Sequence, residues 1–491
     1  MTAITHARSS PSLTHRESPD LRAPRSLRTS AADCVNGGSI ARRQVWLRQF
    51  AAGVRSRHAE LCAVVESEIG KPAWETTLAE ILPLTASLDW QRRHLRSILG
   101  ARAVRGGAWW QLGDRVRTER HALGRVIIIA TWNYPLQLLG IQLAQSIAAG
   151  NETWVKPSER APRAHAALLA IARAALRDAG LPEELLVECE ASAEEGERLV
   201  REVSTDHIVF TGSTRVGRLI AQAAASTLTP TTLELSGHDS AIVLGDADHR
   251  LASRSIWNAV VMNAGQTCMA PRRVLVEASA YRGFLEALAP LTAAANPLQL
   301  IDEAAATRTA EIVIDAIHRG GRPLSGVVEP PRGRWLRAAA IVDCPEDAPL
   351  VEGDHFGPAL AVLPVRDLVD AIRVHRNSGQ ALATSVFTST PDRVRARAAE
   401  FGSSFLTIND CVRPTAHPAT AITGRGASGW GSSRGRSGLL AMSREVTVTQ
   451  RGVCSAPADI PSPTVVRWIS RLAGLRPRDG GGADRTNGAT Q

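Results

Sequence analysis

Short apolar runs rich in β-branched residues alternate with helical stretches through the middle of the chain, and that alternation leaves few folds open. Val126-Ile127-Ile128-Ile129-Ala130 is apolar throughout and of strand length. A run with no polar face reads as a strand buried on both sides of a parallel sheet. It feeds a loop and then a helical segment over 136–149. Trp154-Val155 is the next short strand, followed by a helix over 161–179. His207-Ile208-Val209-Phe210 is another strand, followed by Thr211-Gly212-Ser213 and a helix over 216–225. Strand, loop and helix in repetition specify an α/β fold with a doubly wound parallel sheet. Ahead of it, Val45, Leu47, Phe50, Val54, Leu61 and Val64 recur near helical spacing, so residues 40–99 are read as helical. Residues 115–125 read as an exposed strand or hairpin, and a second set of α/β elements begins near Ser236. At 491 residues the chain can form more than one domain.

The formal charge of +9 raises a nucleic-acid partner, but the charge sits at the ends. Residues 1–50 carry eight arginines against three acidic residues, and residues 451–491 carry six against three. The body is close to neutral, which excludes a basic binding face on the fold itself. Residues 1–38, rich in Ser, Pro, Thr and Arg, are expected to form a disordered arm, and residues 454–491 a second loose end. Within the latter, Val465 to Leu472 can form a short amphipathic helix. No apolar run reaches membrane-spanning length, so a membrane is not expected as partner. The seven cysteines are scattered without a CxxC pair or a His/Cys cluster. Neither a disulfide framework nor a metal is indicated, and a reduced, cytoplasmic compartment is expected.

Of 57 basic residues only Lys71 and Lys156 are lysine. Lys156 lies in Lys156-Pro157-Ser158-Glu159, where a compact ammonium is required and a guanidinium would not fit; Lys71 is read as structural. Cys268 lies in Asn263-Ala264-Gly265-Gln266-Thr267-Cys268, and Glu234 in Leu233-Glu234-Leu235-Ser236-Gly237. A thiol beside glycine can be approached closely by a carbonyl, and a carboxylate elsewhere in the fold can serve as its base. Thr211-Gly212-Ser213 places a strand end at a helix N-terminus, where backbone N–H groups favour a phosphate.

These segments, with Trp132-Asn133-Tyr134-Pro135 and in this order, resemble the NAD(P)-dependent aldehyde dehydrogenase superfamily over about residues 42–451. The resemblance implies a cofactor domain of residues 39–113 and 125–235 and a catalytic domain of 236–430. Strands at 114–124 and 440–453 would form an oligomerisation projection and make a homodimer or homotetramer. It implies oxidation of an aldehyde to a carboxylic acid through a thiohemiacetal and thioester on Cys268. Asn133 would be the oxyanion donor and Glu234 the base. Lys156, Ser158 and Glu159 would hold the adenosine end of the cofactor, Gly212 and Ser213 its phosphates, and Asp354 and Phe356 its nicotinamide end. A carboxylate at Glu159 favours NAD, with NADP also admissible.

Three segments depart from the family pattern. Ser236 stands in place of glycine, Asp354 in place of glutamate, and Ala421-Ile422-Thr423-Gly424 in place of Pro-Phe-Gly-Gly. Trp430, just beyond the last of these, is expected either to line the substrate tunnel or to lie in the core. Two alternatives remain open: a CoA-acylating relative, and a non-catalytic structural relative.

Overall fold

A computed structural model describes residues 38–107, 113–325, 328–353, 355–377, 379–380, 382–452 and 462–475. The expected arm up to residue 37, Asp354, and residues 454–461 and 476–491 of the expected C-terminal end lie outside the described residues. The chain divides into two compact units, one of residues up to Gly100 with Arg120–Arg444 and one of Ala101–Glu119 with the residues from Glu445 onward.

The first unit contains two large sheets. In the first, Arg125–Ile129 pairs in parallel with Glu152–Lys156 on one side and His207–Thr211 on the other. Leu186–Glu188 and Thr231–Glu234 extend it outward, also in parallel. Gly429–Trp430 closes one edge antiparallel to Thr231–Glu234. Val126 and Ile128 enter one core and Ile127 and Ile129 another. The two-residue period of a strand thus divides one apolar run between both faces of the sheet. The second sheet has seven strands and is parallel except for Arg322–Pro323 at one edge. Its centre is Asp239–Val243, Pro271–Glu277 and Ala359–Val365.

The helical N-terminal part covers the first sheet. Ile40–Ser56 starts where the Ser39 hydroxyl accepts from the Arg42 N–H at 3.3 Å. It buries Trp46, Leu47, Phe50, Ala51 and Val54. Trp46 rather than Val45 is the fully buried residue at that turn, because the tryptophan N–H finds the Ala172 carbonyl at 3.1 Å. His58–Ile69 ends at Gly70, which takes the left-handed φ of 76° that favours glycine. Trp430 neither lines a tunnel nor enters the core. It sits half exposed at the sheet edge, and its indole N–H donates to the Thr231 hydroxyl at 2.9 Å.

In the second unit the strands are ordered Arg102–Val104, Arg115–Ala122 and Ser443–Gln450. The expected amphipathic segment forms the helix Pro463–Leu472. Among the described residues no helix is long and apolar enough to cross a membrane.

Candidate active site

The carboxyl ends of the parallel strands gather the singled-out residues at one edge of the first sheet. Register sets Ile129 beside Lys156 and Phe210, and Thr211 beside Glu234. Strand order reverses between Arg125–Ile129 and His207–Thr211, and open α/β sheets bind ligands in the crevice outside such a switch point. A cavity of about 1260 Å³ opens there, lined by Cys268, Glu234, Asn133, Gly212, Ser213 and Phe356 among others. Lys156, Ser158 and Glu159 are not part of this lining; they follow the neighbouring strand. Asp354 lies outside the described residues.

The loop before Cys268 is held in an uncommon conformation. Asn263, Ala264 and Gly265 take left-handed φ values of 51°, 53° and 74°. A Cβ on Gly265 would come within 2.3 Å of the Gly357 backbone, so glycine is required there. The Arg272 guanidinium donates to the Gly265 and Thr267 carbonyls, both at 2.8 Å, and lies 5.4 Å over the Phe356 ring. From the other sheet, Tyr134 and Thr267 share a hydroxyl hydrogen bond of 2.6 Å. The Asn263 amide donates to the Asn133 carbonyl at 2.9 Å. The asparagine loop and the cysteine loop are therefore one tied unit, though they come from different sheets.

Lys71 supports that unit from behind. Its ammonium is buried, pairs with Glu80 at 2.6 Å and donates to the Asn133 carbonyl at 2.7 Å. The other Glu80 oxygen accepts from the Leu136 and Gln137 N–H groups at 2.8 and 3.2 Å. A carboxylate there satisfies the open N–H groups of the helix Gln137–Ala149 and suits its dipole. Glu80 sits in a single π-turn, Thr77–Ile81, a distortion that often marks functional regions. The structural reading of Lys71 is thereby given a specific content.

Burial dominates the electrostatics. It pushes the Cys268 thiol up to about 12, reinforced by the charges of Asp239 and Glu234 and opposed by Arg434 and Arg272. Burial also raises Glu234 above its ordinary value, opposed by Ser433, Arg434 and Thr211. Glu234 Oε1 is buried without a hydrogen-bond partner among the described residues. A carboxyl group in that state holds its proton more tightly than an exposed one. Asp239, which opens the strand after Glu234, is raised by burial to about 7.

The neighbouring strand end carries features that fit a dinucleotide. Lys156 is buried and pairs with the half-exposed Glu159. The Ser158 N–H donates to His165 Nδ1 at 3.1 Å, and burial lowers His165 to about 4, which keeps the ring neutral and able to accept. Ser213 caps the helix Thr214–Ala225, accepting from the Val216 N–H at 3.3 Å. The first-turn N–H groups of a helix lack partners within it, and such an end favours a phosphate. A Cβ on Gly212 would come within 2.5 Å of the Phe210 ring. Among the described residues no group of three His, Cys, Asp or Glu side chains is placed to hold a metal.

A two-sheet α/β chain with a thiol, a carboxylate and an amide around one crevice defines a dinucleotide-dependent oxidoreductase of the cysteine type. Residues 29–448 match the aldehyde dehydrogenase family, and the chain belongs to it. The 4,4'-diapolycopene-4,4'-dial dehydrogenase of Cytobacillus firmus is 31% identical over 398 residues, covering 80% of this chain and 86% of that one. The dimeric NADP-preferring aldehyde dehydrogenase of Rattus norvegicus is 28% identical, covering 83% and 90%. The aldehyde dehydrogenase of Mycobacterium tuberculosis complexed with NAD+ superposes with a TM-score of 0.76 at 25% identity, covering 83% and 84%. The chain is thus an NAD(P)-dependent aldehyde dehydrogenase, and its reaction is the oxidation of an aldehyde to a carboxylic acid.

Three contributors were not singled out from sequence. Asp239 and Arg434 face the reacting groups, and Glu80 holds the asparagine loop. Each is a charged residue with no motif around it, and burial is what distinguishes it. Arg272, four residues after the cysteine, clamps the loop.

Proposed function

We propose that Cys268 is the nucleophile, Asn133 the oxyanion donor and Glu234 the base that activates water. The observation that carries this reading is the unpartnered Glu234 Oε1, buried in the cavity that Cys268 and Asn133 also line. A neutral thiol is the resting form, since its pKa is pushed up to about 12. The thiol gives up its proton to solvent as sulfur attacks the carbonyl carbon, which leaves the Glu234 carboxylate free for the later step. The carbonyl π electrons move to oxygen, where the Asn133 amide and the Cys268 N–H stabilise the charge. NAD(P) bound at the strand ends supplies the acceptor for the hydride that leaves this carbon. Glu234 then removes a proton from water; the hydroxide adds to the thioester, the carbon–sulfur bond breaks and the acid is released.

Gly212 and Ser213 would hold the cofactor phosphates, Lys156, Ser158 and Glu159 its adenosine end, and Asp354 and Phe356 its nicotinamide end. The Glu159 carboxylate supports NAD as the preferred form, although the rat relative prefers NADP. The first sheet would be the cofactor domain and the second the catalytic one. Strand Ser443–Gln450, the outer strand of its sheet among the described residues, supports assembly into a homodimer or homotetramer. A reducing, cytoplasmic location suits a free catalytic thiol.

Glu234→Gln tests the assignment. A burst of NADH of about one equivalent per active site is expected, followed by very slow turnover, because the thioester forms but no base activates water. Intact mass should place the acyl group on Cys268. Steady turnover restored by CoA would instead assign the CoA-acylating reaction. Absence of a burst from wild type and variant alike would assign a non-catalytic role.

A further inference from the structure

Arg434 is the one cation of the cavity wall without a counter-ion among the described residues. Two other cations line the cavity, and both are neutralised, Lys71 by Glu80 at 2.6 Å and Arg413 by Asp410 at 2.5 Å. Arg434 is 5% exposed. Its Nη1 donates to the Thr415 carbonyl at 2.9 Å, and the guanidinium makes no other hydrogen bond and no ion pair among the described residues. Glu234 is near enough to feel the charge but lies beyond ion-pair distance. A guanidinium carries five N–H donors, so most of its donor capacity is unused at the cavity wall. Burying such a group unpaired is costly, and it is retained where a partner arrives later.

The backbone adds a second observation. Arg434 takes a left-handed φ of 62°, rare for a residue with a side chain. It is held there by its own N–H, which donates to Gln145 Oε1 at 3.3 Å, and by Gly435, where a Cβ would come within 2.4 Å of the Ala419 carbonyl. Strained conformations of this kind cluster at ligand sites because the surrounding structure must enforce them.

We propose that Arg434 receives a carboxylate carried by the substrate, so that the enzyme selects oxo acids over neutral aldehydes of the same size. The planar fork of the guanidinium matches a carboxylate with two parallel hydrogen bonds. Leu138, Val261 and Met262 on the same wall take the carbon skeleton between the acid and the aldehyde. The selection rests on the reading that Cys268 attacks the aldehyde in this cavity.

The test compares kcat/KM of ω-oxo acids with that of n-alkanals of matched chain length, for wild type, Arg434→Met and Arg434→Lys. Wild type should favour the oxo acids by about ten- to a hundredfold, the worth of a hydrogen bond to a charged group. In Arg434→Met that ratio should fall close to one, mainly through KM. Arg434→Lys, with the charge but not the fork, should retain part of it. Calorimetric binding of ω-dicarboxylates against monocarboxylates decides the same point without turnover, and thermal melts report whether each variant is folded. A wild type indifferent to substrate charge, or an Arg434→Met variant with an unchanged ratio, overturns the proposal. Failure of every aldehyde to yield NADH while Arg434-dependent dicarboxylate binding persists would overturn only the reading of Cys268.

Discussion

The Asn133 side-chain amide donates to the Gln266 carbonyl at 3.0 Å, two residues before Cys268. An amide nitrogen has two N–H bonds. One is engaged by the cysteine loop, and the second is left for the cavity that Asn133 lines. The same group therefore ties the two loops together and, on the proposed reading, would serve as the oxyanion donor.

Asn133→Ala should lower kcat by about 100- to 1000-fold, the usual cost of losing one oxyanion donor. KM for the aldehyde should change far less, because the donor acts on charge that develops only during reaction. A loss confined to KM would assign Asn133 to substrate binding instead.

Asp239→Asn should stabilise the protein in a pH-dependent way. The folded-state pKa of Asp239 is raised to about 7, so the folded state binds a proton that the unfolded state has released. The contribution of this group to stability falls as pH rises from the ordinary carboxylate range to about 7. The amide keeps an oxygen for the Ala383 N–H, now 2.9 Å from Oδ1, and carries no charge. Thermal melts should show a clear gain over wild type at pH 8 and a smaller one at pH 5. Removing this charge should also speed alkylation of Cys268 by iodoacetamide, since Asp239 raises that thiol. Equal melting differences at both pH values would contradict the assignment.

Lys71→Met should be strongly destabilising. It leaves Glu80 buried with no counter-ion, a change that typically costs about 3–5 kcal/mol. Adding Glu80→Gln should recover part of the loss, because the carboxylate that Lys71 paired with is then uncharged. Denaturant midpoints of the two variants decide this; no recovery in the double variant would mean that Lys71 acts mainly through the Asn133 carbonyl.

Glu159→Gln should narrow the preference for NAD. The carboxylate pairs with Lys156 and remains half exposed; in the proposed role it would repel a 2′-phosphate while accepting from ribose hydroxyls. Wild type should show the lower KM for NAD, and the variant a smaller difference between the two cofactors. Equal use of both by wild type would remove Glu159 from the selection.

Much of the frame was legible in the chain itself. Four buried apolar residues in a row, Val126 to Ile129, admit a two-faced strand whatever surrounds them, because side chains alternate across a sheet. Gly212 and Gly265 were legible as glycines beside a strand end and a thiol, whereas the close approach of the Gly357 backbone that requires glycine at 265 is a tertiary contact. Cys268, Glu234 and Asn133 carried recognisable neighbours, and the fold brings all three to one cavity. What the chain could not reveal was the environment of charges far apart in sequence. Whether Arg434 has a counter-ion, whether Asp239 can ionise, and whether Glu80 meets Lys71 or solvent all depend on desolvation and on distances across the fold. Trp430 illustrates the same limit, for a local pattern marks an aromatic but not the face it will occupy. Sequence determined which groups are present and which backbone shapes they allow; tertiary structure decided their protonation and their partners, because both are set by burial.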